Sequence, residues 1–153
     1  MLVVVAFFLL LFGTCGYAIA RGGRPEQLAG CALLLAATTT LLINLPRTVY
    51  FRNLETEVLL VDAALLAALV ALALRANRYW PIWVTAMHAG TLAVHLAKFA
   101  NPSLDWPLYS FAASVSSIPI QLILLWATIR HRRRLRQFGM DPPWNESSPR
   151  SIR

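Results

Sequence analysis

Two histidines and a lysine interrupt an apolar stretch that is long enough to be a membrane-spanning helix. The polar side chains of this stretch, residues 80–100, fall at i, i+3, i+7 and i+10, which is one face of a helix. They are His88, Thr91, His95 and Lys98. Ionisable groups in hydrocarbon cost roughly 2.5–3.5 kcal/mol each on insertion scales, so they usually face protein or water and often mark a site. Such a stripe could carry protons, ligate haem, or form a pocket for a quinone or a lipid headgroup.

The partners of this stripe follow from depth in the membrane. Residues of two antiparallel helices lie at the same level when they are equally far from the turn between them. Folding the chain about Arg78 puts Asp62 opposite His95, and Asp62 is the one acid inside a predicted span. A carboxylate in this setting needs a partner. We therefore expect Asp62 to pair with His95 or Lys98.

A second polar stripe is predicted further along the chain. Ser114, Ser117 and Gln121 follow i, i+3 and i+7 spacing in the last apolar stretch. Folding about residue 103 puts His88 level with Ser117, where its partners are neutral. The outer end of the second stretch carries Asn44 in the layer of Asp62. Together these positions predict one polar seam: Asn44, Asp62, His88, Thr91, His95, Lys98, Ser114, Ser117 and Gln121.

Several interpretations of this seam stay open. Polar contacts between helices contribute about 0.6 kcal/mol on average, so the seam could be structural only, and Lys98 could extend outward to the membrane surface. Alternatively, a chain from His88 through His95 to Asp62 relays protons, although the inner half offers no matching acid or histidine. Haem ligation would need a second chain, because both histidines lie on one face of one helix. A quinone pocket has no specific support.

The elements that must position the seam are transmembrane helices. Of the 153 residues, 58% are hydrophobic and 14% are charged, whereas soluble domains are about 25% charged. Roughly 17–22 apolar residues suffice to cross a bilayer. The chain therefore predicts an all-α integral membrane protein, a compact bundle (residues 1–129) followed by a basic, flexible cytoplasmic tail (130–153). The predicted spans are residues 2–20, 28–45, 58–74, 80–100 and 108–129.

The arginines predict the orientation of the bundle. The net charge is +7, and most basic residues fall in the first and third turns and after residue 129. Positive residues favour the cytoplasmic side, so we expect the N-terminus outside and the C-terminus inside, in a bacterial inner membrane. Residues 18–20 look like a signal-peptidase site, but no basic segment precedes Leu2, and we expect the first helix to be retained. Five tail residues are expected to contact anionic lipid headgroups: Arg130, Arg132, Arg133, Arg134 and Arg136.

The same sequence argues against several classes of protein. It carries no HExxH or GxSxG motif, no spacing typical of a metal site, and no nucleic-acid-binding motif. Alanines at spacing four in the third and fourth spans predict that these helices pack closely: Ala63, Ala67, Ala71, Ala89, Ala93 and Ala97. We therefore expect a non-enzymatic subunit or assembly factor without a cofactor, bound to other membrane subunits or to itself. A small transporter or proton conductor is the alternative, and a haem- or quinone-binding subunit is the third possibility.

One segment carries a resemblance. Residues 78–83, RYWPIW, followed by Thr91, His95, Leu96 and the later Trp144, resemble a set of small multi-span bacterial membrane proteins. The likeness covers most of the chain. It implies a membrane location and brings no activity, cofactor or partner with it.

Overall fold

The computed structural model describes residues 2–44, 54–101 and 103–141, and within them the chain is helical, without a strand. The helices are α1 (Leu2–Arg21), α2 (Arg24–Asn44), α3 (Leu54–Arg75), α4 (Trp80–Ala100), α5 (Trp106–Ser114) and α6 (Ser117–Phe138). The predicted all-helical architecture is confirmed. The fifth predicted span differs, because it is divided between α5 and α6.

The helix ends follow from local chemistry. Pro81 lies in the first turn of α4, where its missing N–H costs nothing. Helix α6 ends at Gly139, whose φ of 70° is left-handed backbone that glycine adopts without strain. Between α5 and α6, Pro119 has no N–H to donate to the carbonyl of Val115, so the helix is interrupted at residues 115–116.

The helices form a closed ring. Each of α1 to α4 packs on the next helix in the chain, and α6 closes the ring by packing on α1, α4 and α2. Helix α5 packs on α4. Two turns, residues 22–23 and 76–79, lie at the same end as the last turn of α6, because Gly23 adjoins His131 and Arg78 contacts Asp141. We call this the basic end.

The half of the ring nearest the basic end has a packed core, beside a groove of about 270 Å³ between α2 and α3 that is lined by Leu69 and Arg75 among others. Leu69, Val84 and Leu124 are each at most 1% exposed and lie in the same core as the fully buried Cys15. In a lipid environment such packing stabilises through van der Waals contact, because lipid tails are as apolar as the core. Hydroxyl groups in this half bond within their own helix, as Thr128 does to the carbonyl of Leu124.

Three helical stretches are long and apolar enough to cross a membrane. They are Arg24–Ile43, Thr56–Arg75 and Pro107–Phe138, with the shorter apolar stretch Val5–Arg21 beside them. Helix α4 is not among them, because its histidines, lysine and proline lower its hydropathy. By length and composition the chain is therefore suited to a membrane.

The predicted packing of α3 on α4 through their alanines is wrong. Ala63, Ala67, Ala89, Ala93 and Ala97 are all exposed. The two helices face the core with larger residues instead, such as Leu65 and Leu69 on α3 and Val84 and His88 on α4. The spacing of the alanines could not predict which face of each helix is turned toward the core, because the opposite face is apolar as well.

The predicted boundary between bundle and tail also differs from the structure. Helix α6 continues without a break through the arginine-rich run to Phe138. His131 is buried, and Arg134 contacts Asp141. The guanidinium of Arg130 lies 5.2 Å from the centre of the Trp126 ring. The remainder of the predicted tail, beyond residue 141, lies outside the described residues.

Candidate functional site

A cavity of about 370 Å³ lies inside the ring, in the half away from the basic end. All six helices contribute to its wall, which is mostly apolar and includes Phe7, Phe8, Leu11 and Leu33. Small-molecule sites of proteins have volumes of roughly 300–1,000 Å³ and a few polar groups in an apolar wall. The polar residues that line this cavity are Thr40, Asp62, His88, Thr91, His95, Ser117 and Gln121.

The cavity is bounded unequally at its two ends. Toward the basic end, the packed layer of Leu69, Val84 and Leu124 closes it. Toward the opposite end, its wall reaches Leu41 and Val58 near the ends of α2 and α3, and the cavity as a whole is partly open. A molecule inside would therefore be separated from the basic end by close-packed side chains.

A chain of hydrogen bonds links α5, α4 and α3 at the cavity wall. The hydroxyl oxygen of Tyr109 lies 2.7 Å from Nδ1 of His95, and Nε2 of His95 lies 3.1 Å from Oδ2 of Asp62. When the tyrosine hydroxyl donates to Nδ1, Nε2 carries the proton and donates to the carboxylate. The alignment of helices by depth predicts that Asp62 lies opposite His95, and the structure places their side chains in contact.

His88 contacts the same residue from two helical turns nearer the basic end. Its Nε2 is 3.0 Å from the backbone oxygen of Asp62 and 3.9 Å from Oδ1 of its carboxylate. A carbonyl oxygen can only accept, so Nε2 of His88 donates to it. The expectation that His88 has only neutral partners is therefore wrong, because both histidines of α4 converge on Asp62.

Lys98 does not extend to the surface as a snorkelling lysine would. It is 9% exposed, and its ammonium group donates to the carbonyl of Leu104 at 2.9 Å. The same group lies 5.9 Å from the centre of the Tyr109 ring, within the range of a cation–π interaction. Lys98 therefore holds the loop after α4 and the ring of Tyr109 near the outer side of the hydrogen-bond chain.

Gln121 reaches the cavity from α6 with an acceptor that no described residue satisfies. The residue is 2% exposed, and its Oε1 has no hydrogen-bond partner. Leaving a buried polar group unpaired costs about 1–3 kcal/mol, so such a group calls for a specific explanation. A donor on a bound molecule would supply one, because Gln121 lines the cavity.

The remaining predicted seam residues divide into three groups. Thr91 and Ser117 line the cavity. Ser114 is exposed and donates to the carbonyl of Phe111 at 3.1 Å, so it lies away from the cavity wall. The side chain of Asn44 lies outside the described residues.

A second polar cluster at the basic end was not predicted. Asp141 follows α6 and accepts hydrogen bonds from Arg78 at 2.9 Å, from His131 at 2.6 Å and from Arg134. Burial alone would raise the pKa of the Asp141 carboxyl, but these partners hold that pKa below its usual range. The cluster ties the end of α6 to the turn between α3 and α4.

Sequence reasoning missed Tyr109, which lies near the start of the fifth predicted span. A signal was present, because folding about residue 103 puts Tyr109 nearly level with His95. It also missed Phe7 and Phe8, since nothing in an apolar first helix distinguishes a cavity wall from a lipid-facing surface.

The contacts of the histidines bear on the haem alternative. Both ring nitrogens of His95 are engaged, by Tyr109 and by Asp62, and Nε2 of His88 is held by a backbone oxygen. An axial ligand needs a free ring nitrogen, so this arrangement does not favour haem. Among the described residues there is no group of three or more metal-binding side chains.

Comparison with known proteins gives no match. No family model matches the chain, and no curated protein or solved structure is similar to it.

Proposed function

We propose that the chain is a small membrane carrier that exchanges a proton at Asp62 for a small molecule in the cavity. The observation that carries this proposal is the position of Asp62. Its carboxyl contacts His95 and lies near His88, and it also lines a cavity large enough for a ligand. A group that titrates at the ligand's own site is what couples proton binding to ligand binding.

The surroundings of Asp62 define the proton site. From α4 it is faced by His88 and His95, and Tyr109 of α5 stands behind His95. Lys98 lies against the tyrosine ring. Helices α1, α2 and α6 face the cavity with apolar and neutral polar residues only, among them Gln121. Protons on the carboxyl and the two imidazoles are therefore the charge changes available to the site.

The packed layer below the cavity favours a carrier over a proton channel. The described buried polar side chains between the cavity and the basic end, near Leu69 and Leu124, are Thr14 and Thr128, and the hydroxyl of each donates to a carbonyl of its own helix. A proton wire would need polar groups or water through this layer. A carrier needs the layer closed while the other end is open, and it needs a second state in which the two are reversed.

The membrane arrangement belongs to the same proposal. We infer five crossings, with α4 as a crossing despite its polar stripe and with the interrupted α5 and α6 as the last. The arginines of the basic end favour a location of that end in the cytoplasm of a bacterium. The cavity would then face the outside in the state described here.

The accessory-subunit function stays a prediction, and it has a different consequence. A subunit that only binds partners has no need to open its cavity to both sides of the membrane. A carrier must do so in turn, whether or not the transported molecule is known.

Thiol accessibility tests this difference without a known substrate. Ala113 lines the cavity, so an Ala113→Cys variant, in a background with Cys15→Ala and Cys31→Ala, would be reconstituted in vesicles. A charged, impermeant thiol reagent would then be applied from one side or the other. A carrier predicts labelling from both sides. Labelling from one side only would overturn the proposal.

A control variant defines the background of this measurement. Ala127 is 2% exposed, lies on α6 in the packed half and does not line the cavity. Ala127→Cys in the same background is expected to stay unlabelled from either side.

A further inference from the structure

We propose that the cavity binds an apolar amine in its cationic form, with the ammonium group between Asp62 and Gln121. This inference rests on the proposed function and names the class of molecule carried. The carboxyl of Asp62 and Oε1 of Gln121 both belong to the cavity wall. Both are acceptors, so the complementary group on a ligand is a donor.

The charge of the site favours a cation over a neutral donor. Among the described residues, Asp62 is the only acid that lines the cavity, and none of the described arginines or lysines lines it. His95 donates one hydrogen bond to the carboxylate, which can accept several. In surroundings of low dielectric constant, an ammonium group gains more from such a carboxylate than a hydroxyl group does.

The rest of the wall fits an apolar body, preferably an aromatic one. Phe7 and Phe8 of α1 lie edge to face at 5.4 Å between ring centres, and both line the cavity beside Leu11 and Leu33. Aromatic faces attract cations as well as apolar surface. A bare inorganic cation is usually held by several oxygen ligands that include carboxylates, and Asp62 is the one carboxylate among the described residues of this wall.

Gln121 predicts that the bound ammonium group carries at least one N–H. Its Oε1 is buried without a partner, and an N–H of the ligand would satisfy it. A quaternary ammonium ion, which has no N–H, could pair with Asp62 but would leave Oε1 unpaired. The site is therefore expected to distinguish an amine from its quaternary analogue.

Calorimetry on the purified full chain in detergent tests this with three probes of similar shape. They are phenethylammonium, its N,N,N-trimethyl analogue and neutral 2-phenylethanol, each corrected for titration into empty micelles. We expect the primary amine to bind tightest, the quaternary analogue about tenfold more weakly because one hydrogen bond is lost, and the alcohol weakest. Equal binding of the alcohol and the amine would overturn the inference.

Variants assign the two contacts. Asp62→Asn should remove the preference for the amine over the alcohol. Gln121→Leu should weaken the amine about tenfold and leave the quaternary analogue unchanged, whereas Gln121→Glu should tighten both cations. The control is Thr128→Val, a buried position of α6 that does not line the cavity, and its binding should equal that of the unmodified chain. Unchanged amine binding in Asp62→Asn would contradict the assignment.

The two proposals fail separately. If Ala113→Cys is labelled from both sides but none of the three probes binds, the carrier proposal stands and the amine class is wrong. If the amine binds in an Asp62-dependent way but labelling occurs from one side only, the binding site stands and the carrier proposal is wrong.

Discussion

At the scale of single residues, Asp62 and Gln121 differ in their polar contacts: the carboxyl of Asp62 has partners, and Oε1 of Gln121 has none among the described residues. The carboxyl of Asp62 contacts His95 and lies near His88, so it is oriented before any ligand enters. Gln121 lines the same cavity with a buried, unsatisfied oxygen. An oriented carboxylate and an unsatisfied acceptor in the same cavity are typical of a binding site. The free-energy cost of burying the unpaired acceptor is removed only when a ligand donates a hydrogen bond to it.

The stability of Gln121→Leu tests this interpretation. Leucine has a similar volume and removes the unpaired acceptor, which costs about 1–3 kcal/mol when buried. The free energy of unfolding of the ligand-free protein should therefore not fall, and we expect a rise of about 1 kcal/mol. Chemical unfolding in mixed micelles measures it.

A matched change on the same helix calibrates that result. Leu124 is fully buried below the cavity, and Leu124→Ala should lower the free energy of unfolding by about 2–5 kcal/mol. If Gln121→Leu were as destabilising as Leu124→Ala, Gln121 would be a structural residue and the argument for a ligand donor would fail.

At the scale of elements, the basic end is joined by contacts that tie α6 to two turns. Asp141 connects the end of α6 to Arg78 in the turn between α3 and α4. On the other side, the turn between α1 and α2 passes so close to α6 that a Cβ on Gly23 would lie 2.9 Å from Cε1 of His131. These contacts hold the basic end closed in the state described here, while the opposite end encloses the cavity.

The Asp141 contact predicts a pH dependence of stability. Since its folded-state pKa lies below the ordinary carboxyl value, its contribution is complete above the unfolded pKa of about 3.9 and is lost as the pH falls through the folded pKa. Asp141→Asn should lower the free energy of unfolding by about 2 kcal/mol at pH 7. The difference from the unmodified chain should shrink only below about pH 4. A difference that already vanishes at pH 5 would contradict the assignment.

The turn between α1 and α2 makes a second prediction at this scale. A Cβ on Gly22 would contact the backbone oxygen of Ala18 and lie 2.6 Å from Cβ of Glu26, whereas a Cβ on Gly16 would meet nothing within 4 Å. Gly22→Ala must shift backbone and should lower the thermal midpoint clearly. Gly16→Ala should leave it unchanged or raise it slightly, because alanine favours the helix by about 0.5–1 kcal/mol. Equal midpoints would show that the turn adjusts freely.

At the scale of the whole molecule, the sequence predicts helix existence and depth better than helix rotation. Asp62 and His95 could be aligned because a rigid helix and a short turn fix depth. The inward faces of α3 and α4 could not be identified, because a membrane helix is apolar toward lipid and toward protein alike. The same lack of contrast hid Phe7 and Phe8.

Long-range contacts account for the rest of what was missed. The arginine run after residue 129 has the composition of a solvated tail, yet it continues α6. The packing of His131 against Gly23 and the ion pair of Arg78 with Asp141 support it there. Neither contact could be inferred without the ring arrangement that brings both turns of the basic end to α6.

The whole-molecule claim is that the protonation state of Asp62 controls which side of the membrane the cavity faces. Labelling of Ala113→Cys from the basic end, measured as a rate at a series of pH values, tests it most directly when the same series is repeated with Asp62→Asn. Each rate is divided by the rate of the same variant in denaturing detergent at the same pH, because the thiolate is the reacting species. We predict that this ratio changes with pH more strongly in the first protein than in the second, because the asparagine cannot exchange a proton. The same pH dependence in both proteins, or no labelling from the basic end at any pH, would contradict the account.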